Sequence, residues 1–219
     1  MPLIQTSYLP SFERLKKEGH PVIDPERAGN QDIRELHIGV LNMMQDAALE
    51  ATERQFLRLL GNSTQIAQIH VHFFTLRSII RNDESSKHIN NHYERFEDVK
   101  KEGLDALIIT GANVAAMDLT KEVFWKELCE VFDWAVENVS STICACLAAH
   151  AAMAYFFDVK RKRLKQKLWG LFPHHKADRT HPLMSWVNTM FHVPHSRFND
   201  ISRKDFYMAG CHILVESEE

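Results

Sequence analysis

Short apolar runs alternate with polar, helix-spaced stretches along most of this chain. Leu36-His37-Ile38-Gly39-Val40-Leu41 is an apolar run suited to a buried strand. Asp46 then stands where a helix cap would stand. Leu49, Glu53, Phe56 and Leu60 follow at helical spacing, with Leu57 beside them and Gly61 as the stop, which predicts a helix over 47–60. Gln68 to Phe74 predicts a second strand, Tyr93 to Lys101 a helix, and Leu104 to Thr110 a third strand ended by Gly111. Phe124 to Val136 predicts a helix carrying Trp125, Leu128, Phe132 and Trp134. Ser141 to Ala145 predicts a fourth strand, running into an Ala-rich helical segment from Leu147 to Phe157. Strands alternating with helices predict an α/β fold: three αβα layers around a mostly parallel sheet covered on both faces. Residues 1–35 are polar and interrupted by Pro10, Pro21 and Pro25. They read as an N-terminal extension packed on one domain spanning 36–219.

Composition narrows the function classes. A formal net charge of -3 gives no global attraction to nucleic acid or to an anionic membrane. The basic run Lys160-Arg161-Lys162-Arg163 reads as a solvated turn. No apolar run reaches the roughly 18 residues a membrane span requires, and Met1-Pro2-Leu3-Ile4-Gln5 lacks the basic and apolar regions of a signal peptide. A cytoplasmic protein is expected. The four cysteines, Cys129, Cys144, Cys146 and Cys211, are too sparse for a disulfide framework and form no Cys-x-x-Cys pair. They are expected to be reduced, so a special cysteine would be a nucleophile. His70 and His72 share a strand face and His174 and His175 are adjacent, but no Cys or Asp/Glu cluster completes a ligand set along the sequence. Neither a metal site nor a bound cofactor is expected.

Reactive groups of open parallel sheets lie beyond the carboxyl ends of the strands. Three such ends are predicted here: Asn42-Met43-Met44, Gly111-Ala112-Asn113 and Cys144-Ala145-Cys146. At the last of these a strand ends and a helix begins at Cys146, which is the layout of a nucleophile elbow. Ala145, Ala148 and Ala149 allow a tight turn. A thiol at a helix N-terminus feels the positive end of the dipole, and backbone N–H groups there can hold an oxyanion. His150 stands one helical turn on, within reach of the thiol. The residues alone leave the alternative open that Cys144 and Cys146 are small packing residues, since the elbow lacks glycine.

Several segments together resemble the homoserine O-succinyltransferase family. They are Gln31-Asp32-Ile33-Arg34, Leu41-Asn42-Met43-Met44, the run from Glu53 to Asn62, Leu107 to Ala112, the Cys146 segment, Pro194-His195-Ser196-Arg197 and Glu216-Ser217-Glu218-Glu219. The resemblance spans nearly the whole chain and implies a class I glutamine amidotransferase-like (flavodoxin-like) core. It implies that Cys146 is a nucleophile in a ping-pong acyl transfer from succinyl-CoA to L-homoserine, with the acyl-CoA as co-substrate and a homodimeric enzyme. It also implies substrate contacts for Lys167 and Ser196, which would otherwise read as a surface charge and part of a polar loop, with His195 and Arg197 as supporting neighbours. Ala115 falls on the position that helps select the acyl donor. Family members using acetyl-CoA tend to carry Glu there and those using succinyl-CoA tend to carry Gly, so Ala115 favours succinyl on steric and charge grounds.

Two departures stand out. The family's Gly-His-Pro-Glu-Tyr motif, which supplies a general-base histidine and its orienting glutamate, is not within these residues. A fragment, a degraded copy, or substitution by His150 or His195 would each account for that. Many family members also carry Pro-Lys-Lys after the first strand, where this chain has Gln45-Asp46-Ala47-Ala48. Without a lysine there, oxyanion binding is expected to fall to backbone amides at the elbow and at Gly111-Ala112. An acetyl donor, serine as acceptor, an amidotransferase-like hydrolase and a non-catalytic acyl-CoA-binding or homoserine-binding protein are the competing readings.

Overall fold

The computed structural model describes residues 3–64, 66–114 and 116–217. In chain order these form β1 (Leu3–Ile4), α1 (Pro10–Lys17), β2 (Val22–Ile23), α2 (Pro25–Gly29), β3 (Glu35–Leu41), α3 (Leu49–Gly61), β4 (Gln68–Phe74), α4 (Asp83–His92) and α5 (Phe96–Glu102). There follow β5 (Ala106–Ile109), α6 (Trp125–Asn138), β6 (Ser141–Cys144), α7 (Leu147–Phe157), β7 (Lys162–Lys176), β8 (Met190–Asp200), α8 (Arg203–Met208) and β9 (Val215–Glu216). The chain divides into two compact units, Met1–Ala151 and Ala152–Glu219, with the boundary inside α7. Among the described residues no helix is long and apolar enough to cross a membrane.

The first unit holds a six-stranded sheet in the order β2-β1-β4-β3-β5-β6, with every pair parallel. The α/β class and parallel sheet expected from the sequence are therefore present. Leu41 is in register with Ile109, and Ile109 with Cys144. The carboxyl ends of β3, β5 and β6 thus stop at one level, and the residues that follow them line one edge. Strand periodicity builds the core: Ile38 and Val40 of β3 and Ile69, Val71 and Phe73 of β4 point into a cluster with Leu3, Leu9, Phe12, Leu15, Leu57 and Ile108. Phe12 is fully buried there, and truncating such a ring to Ala costs about 3–5 kcal/mol.

The N-terminal stretch differs from the irregular extension expected. β1 lies between β2 and β4, and Leu3, Leu9, Phe12 and Leu15 are core residues. Its prolines mislead because Pro10 and Pro25 begin helices, where a missing N–H and a fixed φ are tolerated. α4 is almost entirely polar and so lacks an apolar stripe; it is started by Asn82, whose Oδ1 accepts the Ser85 N–H at 2.8 Å. Tyr93 is extended rather than helical, and α5 begins only at Phe96. Asp46 does not cap α3. Its carboxylate accepts the Asn82 N–H at 3.0 Å, and a short 3-10 turn leads into Leu49.

In the second unit β7 and β8 form a long antiparallel pair, with β9 on the other side of β7. Lys162 and Arg163, expected in a solvated turn, start β7, and the Pro-His-Ser-Arg stretch lies within β8 rather than in a loop. One residue exposed and the next half-buried is the rule along β8.

Candidate functional site

The Ala145 N–H donates to the Ile109 carbonyl at 2.9 Å, extending the β5–β6 ladder one residue past β6. The chain then reverses at Cys146, whose φ is +53°. That left-handed conformation costs a residue with a β-carbon about 1–2 kcal/mol. α7 starts immediately: the Cys146 carbonyl accepts the Ala149 N–H at 3.1 Å, and the Ala145 carbonyl accepts that of Ala148 at 3.1 Å. Leu147, Ala148 and Ala151 are buried while Cys146 is exposed. A strained turn thus leaves the thiol exposed immediately before the buried pair Leu147 and Ala148. The reading of Cys146 as a small packing residue does not hold.

Gly111, at the end of β5, lies against that thiol. A β-carbon on Gly111 would sit 3.3 Å from Cys146 Cβ and 3.6 Å from Sγ. The glycine missing from the elbow itself is supplied by the neighbouring strand. The other thiols of this unit are different in kind. Burial pushes Cys144 up to about 11, and burial followed by the nearby Asp133 and Glu130 charges pushes Cys129 up to about 11. Both are held as thiols at neutral pH.

The strand ends beside the elbow are tied together by side chains. The Thr110 hydroxyl accepts the Met43 N–H at 2.8 Å and donates to the Gly111 carbonyl at 3.1 Å. Buried Asn42 donates to the Leu49 carbonyl at 3.2 Å and to the Tyr93 hydroxyl at 2.9 Å, and its Oδ1 accepts the Met44 N–H at 3.2 Å. Sequence reasoning missed Arg81, which lies in a polar stretch with no local signal. Its side chain is only 6% exposed; it donates to the carbonyls of Met44 and Asn42 and lies 3.3 Å from Asp46 Oδ1. The Asn82 N–H and then Arg81 hold the Asp46 carboxyl below its usual range. The turn that lacks the family's lysines therefore has a guanidinium beside it. A pocket of about 270 Å³ opens here, lined by Met43, Gln45, Arg81, Ala112, Asn113 and Phe124 among others.

Lys167 and Ser196 belong to the second unit, and both are exposed. Ser196 is opposite Trp169 across the β7–β8 pair, and the Lys167 ammonium lies 5.9 Å from the centroid of the Phe198 ring. Lys167, Trp169, Ser196 and Phe198 share one outward face. His195 and Arg197 point to the other, half-buried face, where Arg197 Nε donates to His195 Nδ1 at 3.1 Å. Burial, then the Arg197 charge, lowers the His195 pKa. His195 and Arg197 line a pocket of about 930 Å³ with His174, His175, Arg203 and His212. His150 is half-buried on α7, and Ala115 lies outside the described residues.

Carboxylates distant along the sequence lie beside the strand histidines. Glu35 joins His37 and His70, and Glu94 and Glu102 join His72, with the ligand atoms of each group within 4.8 Å of one another.

The family model described as homoserine O-succinyltransferase matches residues 2–219. The homoserine O-succinyltransferase of Allochromatium vinosum is 57% identical over 219 residues, which is 100% of this chain and 61% of that protein. Those of Thiobacillus denitrificans and Methylobacter tundripaludum are 56% and 55% identical, again over 100% of this chain, and 63% and 62% of their own lengths are covered. The chain thus spans about three fifths of the length of these curated relatives. A solved structure from Thermoplasma acidophilum, described as a GMP synthase component, aligns with a TM-score of 0.48 and 16% identity, covering 77% of this chain and 67% of that one. With a full-length family match and relatives more than half identical throughout, the chain belongs to the homoserine O-succinyltransferase family.

Proposed function

We propose that this chain carries the acyl-enzyme chemistry of a homoserine O-succinyltransferase, with Cys146 as the nucleophile. The carrying observation is the exposed thiol of Cys146, raised at φ +53° on a strand-to-helix turn and backed by Gly111. The Cys146 thiolate attacks the thioester carbonyl of succinyl-CoA. The carbon–sulfur bond to CoA breaks, CoA leaves as a thiolate that takes up a proton, and succinyl remains on Cys146 as a new thioester. The oxyanion formed on the way is held by backbone amides at the elbow and at Gly111-Ala112. The hydroxyl of L-homoserine then attacks that thioester, loses its proton to a base, and releases O-succinylhomoserine and the free thiol. In the family this base is the histidine of a Gly-His-Pro-Glu-Tyr motif, which these 219 residues do not contain. Such a base is worth roughly 10²- to 10⁴-fold.

Succinyl is favoured as the acyl group because relatives matched along the whole chain are named succinyltransferases and because Ala115 is small and uncharged. Lys167 and Ser196 contact substrate in this reading, and their common face on β7 and β8 supports a joint role. No cofactor beyond the acyl-CoA co-substrate, a cytoplasmic location and a homodimer belong to the same proposal.

The first half-reaction tests it. Folded protein mixed with succinyl-CoA is expected to gain one succinyl group on Cys146 by peptide mass spectrometry and to release CoA. Folded protein that stays unmodified, or modification that persists in Cys146→Ser, would overturn the assignment. Ala115→Glu is expected to shift the preference toward acetyl-CoA, and an unchanged preference would remove Ala115 from donor selection.

A further inference from the structure

We infer that Glu35, His37 and His70 form a divalent transition-metal site, best suited to zinc, on the face of the parallel sheet. His37 of β3 and His70 of β4 are directly opposite in register, and their rings stack at 4.7 Å with an interplanar angle of 14°. Both present Nε2 to the same oxygen of Glu35: Oε2 lies 3.8 Å from His37 Nε2 and 3.9 Å from His70 Nε2. Those separations are too long for hydrogen bonds. They are close to the spacing of two ligand atoms around one tetrahedral ion, about 3.3 Å when the metal–ligand distances are about 2.0–2.1 Å. His70 Nε2 is buried and has no hydrogen-bond partner among the described residues, and the carboxylate of Glu35 lies 3.9 Å away.

The surrounding network sets the protonation needed for ligation. His72 Nδ1 faces both oxygens of Glu94, at 3.0 and 3.1 Å, and lies 3.4 Å from Glu102. His72 Nε2 lies 2.9 Å from His37 Nδ1. In the neutral tautomer of His72 that donates to Glu94, Nε2 accepts from His37 Nδ1 and the His37 lone pair is on Nε2, the atom that faces Glu35. A carboxylate and a second imidazole orienting a ligating histidine is the arrangement that fixes tautomer and ring angle in metal sites. Glu94 and Glu102 serve as support here rather than as a second site, since both nitrogens of the buried His72 are engaged. Two imidazoles and one carboxylate favour zinc over magnesium or calcium, which prefer all-oxygen sets. Glu35 is exposed, so the ion can enter from solvent with water as its fourth ligand.

The test is zinc titration of the full chain after chelator treatment, read by competition with a chromophoric chelator. One tight equivalent is expected, retained in Cys146→Ser and weakened at least about ten-fold in both Glu35→Gln and His70→Asn. Glu35→Gln changes an exposed side chain and keeps the test valid if His70→Asn fails to fold. Cobalt in the same site is expected to show no thiolate charge-transfer band. Absence of tight zinc binding, unchanged affinity in Glu35→Gln, or loss of binding in Cys146→Ser would each overturn the assignment.

Discussion

Gly111 and Cys146 are built against each other: a methyl group on residue 111 would lie 3.3 Å from the Cys146 β-carbon and 3.6 Å from its sulfur. The first distance is tighter than ordinary packing, so a side chain at 111 must push the Cys146 thiol or the turn that carries it. Gly111→Ala is expected to slow acylation of Cys146 by roughly 10- to 100-fold, as small misplacements of reacting groups do. Thermal stability should change little by comparison. Burst-phase CoA release measures the rate, and a wild-type rate in Gly111→Ala would show that the contact does not position the thiol.

The left-handed backbone of Cys146 makes a prediction about stability rather than rate. Glycine adopts φ +53° without the steric cost borne by a β-carbon, but loses more entropy on folding. Cys146→Gly is expected to be more stable than Cys146→Ala by about 0.5–1 kcal/mol, although both lack the thiol. Urea unfolding of the two variants decides it. Equal midpoints would mean that the turn relaxes when the sulfur is removed.

Thiol reactivity should separate neighbours only two residues apart. Burial holds Cys144 up to about 11, and Cys129 is pushed up to about 11 as well, while Cys146 is exposed. Iodoacetamide at mildly alkaline pH is expected to label Cys146 well before Cys144 or Cys129. Peptide mapping over time gives the order, and equal labelling of Cys144 in native protein would contradict its burial.

Glu53 gives a fourth prediction. Its fully buried carboxylate accepts from the Ser11 hydroxyl at 2.6 Å and the Tyr93 hydroxyl at 2.9 Å, and is 2.7 Å from His88 Nε2. Burial, then the Glu53 charge, raises the Tyr93 pKa far enough that the hydroxyl stays a donor. Glu53→Ala strands these groups and is expected to cost about 3–5 kcal/mol. The hydrogen bond to Glu53 raises the His88 pKa above its ordinary 6.5. Folding then favours the protonated ring. The contribution is full below 6.5 and is lost as pH rises through the raised value. Denaturation midpoints measured from about pH 5.5 to about pH 8.5 should fall more for the wild type than for Glu53→Gln. Parallel curves would remove His88 from the balance.

The residues that were easy to read are those with strong local patterns. β3, β4, β6 and α7 are apolar runs with clear ends, and Cys146 was found because a strand meets a helix at it. β1 was invisible because two residues carry no period, and α4 because a polar helix has no stripe. β7 and β8 were missed for another reason. Their exposed positions include Trp169, Leu171 and Met190, and Pro173 and Pro194 interrupt the pattern, so alternation of exposure is not alternation of polarity. Arg81 and Glu35 were missed because their roles depend on partners 39 and 35 positions away, Asn42 and His70, brought near only by strand order.

The buried chain of Ser11, Glu53, Tyr93 and Asn42 has a practical corollary for anyone trimming this protein. It runs from α1 to the first residue past β3, so α1 acts as a girder under the carboxyl edge of the sheet. Cutting it away would leave a buried acid without one of its two hydroxyl donors and slacken the tie to Asn42, loosening the rim of strand ends beside Cys146.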